Sequence, residues 1–148
     1  MSIELCLQNV SSVQDIPNQS EFEQWLHMAL QGMPEAVLTI RIVDEDESAV
    51  LNQQYRQKTC ATNVLSFPAD LPEEVELPLL GDLVICAPLV QSEANVQGKS
   101  VTAHWAHLVI HGTLHLLGYD HIEEAEAAAM ENLETRLLQQ LGIADPYA

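Results

Sequence analysis

The strongest constraint on the fold of this chain is the apolar segment from Val101 to Leu117. Its periodicity predicts a helix that ends at Gly118, because glycine readily adopts the left-handed backbone conformation that terminates helices. Histidines and a glycine interrupt the segment, so it lacks the roughly 18 to 20 uninterrupted apolar residues of a membrane span. Hydrophobic residues make up 47% of the 148 residues, which is enough apolar material for an ordinary buried core. We therefore expect a folded, soluble protein.

The rest of the chain mixes the periodicities of helices and strands. Four stretches predict strands: Ile3 to Val10, Val37 to Val43, Asn63 to Phe67 and Gly81 to Cys86. Four further helices are predicted: one capped by Ser20 with Glu23 and ended by Gly32, one from Asp44 to about Arg56, one from Pro88 to Gly98, and a terminal one capped by Asp120 with Glu123. These elements do not alternate as regular strand–helix–strand units. The pattern predicts an α+β fold in which a small mixed sheet of about four strands packs with about five helices. We expect one domain, residues 1–148.

Five of the six histidines lie between residues 104 and 121. His111 and His115 are four residues apart on the predicted helix, so their rings project from one face and can reach the same metal ion. Gly118 allows the chain to reverse after the helix, which brings His121 in from outside the helix axis. Three protein ligands on a tetrahedral Zn²⁺ leave the fourth position for water, as in catalytic rather than structural zinc sites. We therefore predict one zinc ion bound by His111, His115 and His121 in a cleft.

Two further histidines, His104 and His107, fall on nearly the same helical face. We expect them to pack or to line the cleft in preference to orienting a metal ligand. The spacing HxxxHxxGxxH is also that of the metzincin proteases, in which a glutamate directly after the first histidine acts as general base. Here that position is Gly112, which has no group to accept a proton. A metallopeptidase is therefore an alternative that Gly112 disfavours.

Three other residues have structural explanations that we prefer to functional ones. Asp82 could orient a ligand histidine, but a turn residue at the end of a strand is the preferred interpretation. Asp120 is interpreted as the cap of the last helix, because Glu123 completes its capping pattern. Phe67 is expected in the core rather than as a stacking ring in the cleft.

Four motifs follow one another between about residues 48 and 125. They are NxxYR from Asn52, TNVLSFP from Thr62, GDLVI from Gly81 and HGTLHLLGYDH from His111. The last motif is long and specific, and the other three gain weight from their order and spacing. Together they resemble the YbeY family of bacterial single-strand-specific endoribonucleases.

This resemblance implies a zinc-dependent hydrolase that cleaves single-stranded RNA. It also implies roles in rRNA processing, notably 16S rRNA 3′-end maturation, and in ribosome quality control. The zinc ligands would be His111, His115 and His121, and Arg56 would be the catalytic arginine of the cleft. Zn²⁺ and a guanidinium can stabilise the extra negative charge on a reacting phosphate from two sides.

The partners implied are single-stranded RNA, in particular rRNA, and the ribosome or ribosome-associated proteins. Neither a membrane nor DNA is expected as a partner. A different class of function is also compatible with the motifs. It is a non-catalytic, ribosome-associated zinc-binding module, whose structural site would have four protein ligands and no exchangeable water.

The net charge of −17 at first argues against a nucleic-acid partner. However, residues 48–69 contain no acidic residue and carry a local charge of +2 from Arg56 and Lys58. Residues 94–119 also lack acidic residues and carry +1 from Lys99. The negative charge is thus segregated from the motifs. We expect a small positive cleft in an acidic body, with weak and salt-sensitive affinity for free RNA.

The N-terminus and the cysteines indicate the cellular compartment. Glu4 stands where a secretory signal needs positive charge, and no long apolar run follows it. Cys6, Cys60 and Cys86 are widely spaced and lack a CxxC pair, so neither a disulfide framework nor a thiolate zinc site is expected. The sequence therefore predicts a cytoplasmic protein.

Overall fold

The structure, a computed structural model, describes residues 2–69, 78–119, 124–144 and 146. Four strands and five helices lie in these ranges. The strands are β1 (Ser2–Asn9), β2 (Glu35–Val43), β3 (Val64–Pro68) and β4 (Leu79–Cys86). The helices are α1 (Gln19–Ala29), α2 (Glu45–Arg56), α3 (Ala87–Gln97), α4 (Val101–Leu116) and α5 (Glu124–Gln140). None of the helices described is long and apolar enough to cross a membrane.

The four strands form a mixed sheet in the order β1-β2-β4-β3. β1 pairs with β2, and β2 pairs with β4, in parallel, whereas β3 runs antiparallel to β4 at the edge of the sheet. The alternation that predicts β2 is reproduced, because every second side chain from Ala36 to Ile42 is buried. The predicted α+β architecture, a mixed sheet of four strands with five helices, is confirmed.

The two faces of the sheet carry hydrophobic cores of very different size. On one face, Leu83 and Ile85 of β4 join the larger core, which also contains the apolar side chains of α1 and α4. On the other face, Val84 and Cys86 belong to a smaller core of four buried residues, against which Leu51 of α2 packs. Successive side chains of a strand point to opposite faces, so the two cores are separated by the sheet itself.

Helix α4 begins and ends close to where its sequence predicts. The hydroxyl of Ser100 accepts a hydrogen bond from the backbone N–H of Ala103 at 3.0 Å, which caps the first turn. Beyond Leu116, Gly118 has a φ of 101°, a left-handed conformation that residues with side chains rarely adopt. Its backbone N–H donates to the carbonyl of His115 at 3.0 Å. The helix therefore ends within one residue of its last histidine.

The start of α1 differs from the prediction by two residues. Asn18 caps this helix instead of Ser20: its side-chain oxygen accepts the backbone N–H of Glu21 at 2.9 Å, and the Glu21 carboxylate accepts the N–H of Asn18 at 3.1 Å. Both Asn18 with Glu21 and Ser20 with Glu23 have the spacing of a capping box, so spacing alone does not decide between them. The predicted cap of the last helix, Asp120, lies outside the described residues.

Candidate metal centre

Four histidines form a line along one face of α4. His104, His107, His111 and His115 are three or four residues apart, which keeps them on one side of the helix. The centroids of successive rings are 6.1, 6.0 and 4.7 Å apart. The exposed fraction of the side chain rises from 3% at His104 to 13% at His107 and 23% at His111. The line thus runs from the interior towards solvent.

His111 and His115 bring two ring nitrogens together at the open end of this line. Their Nε2 atoms are 3.1 Å apart. Two nitrogens bound to one tetrahedral Zn²⁺, each about 2.0 to 2.1 Å from the ion, lie roughly 3.3 Å from each other. The two histidines can therefore occupy two ligand positions of a zinc site after a small increase in the distance between their Nε2 atoms. The third predicted ligand, His121, lies outside the described residues, so the full ligand set stays a prediction.

A buried carboxylate lies behind His111. Glu134 is on the buried face of α5 together with Met130 and Leu137, and its side chain is 0% exposed. Its Oε1 forms a hydrogen bond with Nδ1 of His111, and its Oε2 forms one with Nε2 of His107 at 3.2 Å. One carboxylate of α5 thus contacts two of the four histidines of α4.

His107, His111 and Glu134 could themselves bind a metal ion, because their ligand atoms all lie within 4.8 Å of one another. A metal bound with His107 and Glu134 would be bound through Nδ1 of His111. A metal bound with His115 would instead be bound through Nε2 of His111. A neutral imidazole has one lone pair and one N–H, so the two arrangements exclude each other. The Glu134 carboxylate is fully buried, whereas His111 and His115 line a cleft. A catalytic metal needs a position for water or substrate, which favours the side of His115.

The cleft beside the paired histidines has a volume of about 790 Å³. Its walls come from the end of α2, from β3 and from the end of α4. The lining residues are Tyr55, Arg56, Thr62, Asn63, Val64, Leu65, Ser66, Phe67, Pro68, His111, His115, Gly118 and Tyr119. All of them belong to the two acid-free segments, residues 48–69 and 94–119. Among the described residues, therefore, no carboxylate lines this cleft.

Arg56 reaches the cleft from the last position of α2. Gln57 follows with a φ of 59°, a left-handed conformation that ends the helix. Arg56 is exposed, and its guanidinium makes no hydrogen bond or ion pair within the ranges that the structure describes. By contrast, Arg41 is paired with Glu47 at 2.6 Å. The donors of Arg56 are thus available to a phosphate in the cleft.

The contact between β3 and α4 explains the glycine of the histidine motif. The hydroxyl of Ser66 donates a hydrogen bond to the carbonyl of Gly112 at 3.0 Å. A Cβ atom on Gly112 would lie 2.9 Å from Cδ2 of Leu83 and 3.2 Å from Cγ2 of Val64. A Cβ atom at this position would crowd the side chains of Leu83 and Val64 on the sheet. This close packing disfavours the glutamate that a metzincin has here.

Asp82 does not occupy the position that its sequence context suggested. It lies within β4 and not in a turn at the end of a strand, so that prediction is wrong. Its neighbour Leu83 belongs to the core that includes α4, so the side chain of Asp82 is on the opposite face of the sheet. There it lines a separate cavity of about 600 Å³ with Arg41 and Tyr55. Asp82 therefore does not orient a histidine of α4.

Phe67 is only partly buried, although the sequence predicted a core position. It packs against the smaller core and also lines the cleft. The ring of Tyr55 meets it edge to face, with the centroids 5.0 Å apart and an interplanar angle of 72°. The position of Phe67 near the end of the edge strand explains this intermediate burial, because no further strand of the described residues covers it there.

His104 is packed in the interior, as predicted. Its Nε2 forms a hydrogen bond with Glu93 at 2.8 Å, and the same carboxylate oxygen accepts the side-chain amide of Asn63 at 3.0 Å. Burial lowers the pKa of His104, while the hydrogen bond with Glu93 opposes that change. His107 is also largely buried, but its contact with Glu134 connects it to His111. His107 thus contacts the residue behind a predicted ligand, whereas the sequence favoured packing or lining of the cleft.

Glu134 was not predicted from the sequence. It lies four residues after Met130 and three before Leu137, and both of these are buried on the same face of α5. An acidic residue on the apolar face of a helix is the one feature of the sequence that could have indicated Glu134, because a carboxylate is rarely buried without a partner. Only the fold, however, identifies histidines of α4 as its partners.

The mixed sheet and the histidine-lined cleft define a small α+β protein with the kind of site that metal-dependent hydrolases use. The sequence profile of the family described as Endoribonuclease YbeY matches this chain over residues 6–142. The chain therefore belongs to the YbeY endoribonuclease family, and this membership supports an endoribonuclease role with RNA as the substrate.

Three curated relatives, each named Endoribonuclease YbeY, are similar over most of this chain. The protein of Stutzerimonas stutzeri is 59% identical over 148 residues, covering 99% of this chain and 92% of the relative. The protein of Psychromonas ingrahamii is 57% identical over 142 residues, covering 93% and 90%. The protein of Cellvibrio japonicus is 58% identical over 139 residues, covering 93% and 78%. The solution structure of a Thermotoga maritima protein is also similar, with a TM-score of 0.62 and 26% identity over 94% of this chain and 88% of that chain.

Proposed function

We propose that this protein is a zinc-dependent, single-strand-specific endoribonuclease that acts in rRNA processing, notably 16S rRNA 3′-end maturation, and in ribosome quality control. The observation that carries the proposal is the 3.1 Å separation of Nε2 of His111 and Nε2 of His115, in the cleft that Arg56 also lines. Two converging nitrogen donors and a guanidinium beside one open cleft suit metal-assisted phosphodiester cleavage. The protein would act in the cytoplasm as one domain, residues 1–148.

The proposed zinc ligands are His111, His115 and His121. When bound, zinc supplies Lewis-acid activation of water or of the scissile phosphate. Nδ1 of His111 is hydrogen-bonded to Glu134, so Nε2 is the atom that this ring offers to the cleft. Arg56 would hold the phosphate through two parallel N–H donors and stabilise the negative charge that develops on its oxygens.

Exposed aromatic rings near the histidines support a preference for single strands. Tyr55 is 64% exposed and Tyr119 is 41% exposed, and both line the cleft. Unpaired bases stack on such rings without sequence preference, whereas the bases of a duplex are already stacked on each other. A single strand can therefore use Tyr55 and Tyr119, and a duplex cannot.

The distribution of charge supports RNA as the substrate and a partner for its delivery. The cleft is built from the two acid-free segments, although the whole chain carries −17. An RNA strand can enter such a cleft, but the rest of the surface repels it. We propose that the ribosome or a ribosome-associated protein brings rRNA to the cleft. No role for DNA or a membrane is proposed.

The test combines zinc content with cleavage of single-stranded RNA. We expect Arg56→Ala to keep its zinc and its circular dichroism spectrum, and to lose about 10² to 10³ in kcat/KM, the usual effect of removing one charge-stabilising donor. Arg136→Ala is the matched control, because Arg136 is an exposed arginine of α5 that does not line the cleft. Full cleavage activity in zinc-loaded Arg56→Ala would contradict the proposed role of Arg56.

Two further controls separate this function from the alternatives. EDTA and His111→Ala should both abolish RNA cleavage if the metal is catalytic. Casein tests the peptidase alternative, which Gly112 and its contact with the sheet disfavour. A protein that binds zinc tightly but cleaves neither RNA nor casein would be a structural zinc-binding module instead.

A further inference from the structure

We infer that Glu134 is a positioning residue, whose carboxylate keeps the proton of His111 on Nδ1 and thereby presents Nε2 of that ring to the metal. The inference concerns the same zinc site and rests on the proposed function. It assigns a role to a residue on a different helix from His111 and His115. It also distinguishes Glu134 from a direct metal ligand.

The first argument is the burial of the carboxylate. Glu134 is 0% exposed and shares its face of α5 with Met130, Leu137 and Leu138. Removing a carboxylate from water carries a large desolvation penalty unless hydrogen bonds and opposite charge compensate for it. The described residues that contact this carboxylate are His107 and His111, and both belong to the histidine line of α4.

The second argument is the direction of the hydrogen bonds. The tautomer of His111 decides which atom donates in its contact with Oε1 of Glu134. With Glu134 ionised, the carboxylate only accepts hydrogen bonds, so Nδ1 of His111 is the donor. A neutral imidazole with its proton on Nδ1 has its lone pair on Nε2. In this structure that Nε2 lies 3.1 Å from Nε2 of His115, at the edge of the cleft. Glu134 therefore selects the tautomer that the proposed zinc site requires.

His107 gives the carboxylate a second point of attachment. Its Nε2 is 3.2 Å from Oε2 of Glu134, so the two oxygens of one carboxylate are held by two histidines one turn apart on α4. Two attachments fix the rotation of the carboxylate, and a fixed carboxylate fixes the plane of the His111 ring. His107 would thus act on the metal through Glu134 and His111.

A positioning role and a ligand role predict different results for Glu134→Gln. The amide oxygen of glutamine can still accept the N–H of His111, but it is a weaker acceptor than a carboxylate. A positioning residue should therefore leave the zinc stoichiometry at saturation unchanged and weaken the zinc Kd about 10- to 100-fold, as expected for partners of ligating histidines. A direct ligand should instead lose binding altogether, because a neutral amide is a poor zinc ligand.

The experiment measures the zinc Kd of the full chain by competition with a chromophoric chelator, and the visible spectrum of the Co²⁺-substituted protein. We expect Glu134→Gln to weaken zinc binding and shift the Co²⁺ bands, with unchanged circular dichroism. Glu131→Gln, on the exposed side of α5, is the matched control and should change neither quantity. An unchanged Kd and Co²⁺ spectrum in Glu134→Gln would overturn the inference, and so would complete loss of metal in a folded variant.

Two further measurements keep the inference testable if Glu134→Gln fails to fold. Nitrogen-15 NMR of the zinc-loaded wild-type protein should show His111 with a protonated Nδ1 and a coordinated Nε2. Coordination through Nδ1 would overturn the inference without any variant. His115→Ala tests the underlying site: if this variant binds zinc as tightly as wild type, the proposed function fails. If His115→Ala loses zinc but Glu134→Gln does not weaken binding, only the role of Glu134 fails.

Discussion

At the scale of single residues, Gly81 lies where the backbones of β3 and β4 leave no room for a side chain. It has a φ of 137°, and a Cβ atom there would lie 2.1 Å from the carbonyl oxygen of Phe67 and 2.9 Å from the amide nitrogen of Ala69. We expect Gly81→Ala to lower the free energy of unfolding by about 2 to 4 kcal/mol, because strain at positive φ adds to a collision with backbone atoms. Urea denaturation would measure the change.

Gly98 provides the matched control for this substitution. It also has a positive φ, 67°, but a Cβ atom there would have no heavy atom within 4 Å. Gly98→Ala should therefore cost only about 1 kcal/mol, the penalty of the left-handed conformation alone. Equal losses of stability in the two variants would show that the strands can separate at Gly81 without penalty.

The residues of the candidate site differ in how far the sequence could reveal them. His111 and His115 could be predicted because helical spacing alone brings their rings together. Gly118 could be predicted because glycine ends helices in the left-handed conformation. Glu134 could not be predicted, since its partners lie on another helix more than 20 residues away in the sequence. Asp82 was misplaced because β4 already begins at Leu79, where it pairs with Val37 of β2, and this long-range pairing is not encoded locally.

At the scale of elements, α2 is held to the loop that follows it by buried polar groups. The Asn52 side-chain amide donates to the carbonyl of Cys60 at 2.7 Å. The hydroxyl of Ser48 donates to the carbonyl of Thr62 at 2.8 Å and accepts the N–H of Thr62 at 3.0 Å. The asparagine of the NxxYR motif thus has a structural explanation. It fixes the loop between Arg56 and β3.

Substitution of Asn52 tests this anchoring. We expect Asn52→Ala to lower the free energy of unfolding by about 0.5 to 1.5 kcal/mol, because the part-buried hydrogen bond from Asn52 to the carbonyl of Cys60 is lost. RNA cleavage should fall as well, since the loop beside the cleft is loosened, while zinc affinity stays unchanged. Gln53→Ala, at the exposed neighbouring position, should change none of these quantities. Unchanged thermal denaturation of Asn52→Ala would contradict the anchoring role.

Element types could be predicted more securely than element boundaries. The alternation of β2 and the apolar periodicity of α4 are local patterns that the fold preserves. The start of α1 could not be predicted, because Asn18 and Ser20 both satisfy the same local capping rule. The order of strands, with β4 between β2 and β3, is set by long-range pairing that no local pattern encodes.

At the scale of the whole molecule, the charge distribution predicts how RNA affinity depends on salt. The two acid-free segments contain three cations, Arg56, Lys58 and Lys99, and only Arg56 lines the cleft. Each phosphate neutralised on a single strand contributes about −0.7 to the slope of log K against log salt. One to three contacts therefore predict a shallow slope of roughly −0.7 to −2 and weak binding.

Fluorescence anisotropy with a cleavage-resistant 2′-O-methyl oligonucleotide would measure this slope for the zinc-loaded protein. Arg56→Ala should make the slope less steep by about 0.7, and Arg136→Ala should leave it unchanged. A slope of about −4 or steeper would show an extended basic surface that the charge distribution does not predict. Tight binding that is insensitive to salt would also contradict this account.

The separation of the two hydrophobic cores by the sheet has a consequence for how the cleft can move. The histidines belong to α4, which is embedded in the larger core, whereas Arg56 ends a helix that packs on the smaller core of four buried residues. Local opening requires least free energy where few apolar contacts are broken. We therefore expect the wall of the cleft that contains Arg56 to open more readily than the wall formed by the histidines of α4. In the proposed function, substrate entry and product release would then use a hinge-like motion of α2 that leaves His111 and His115 in place.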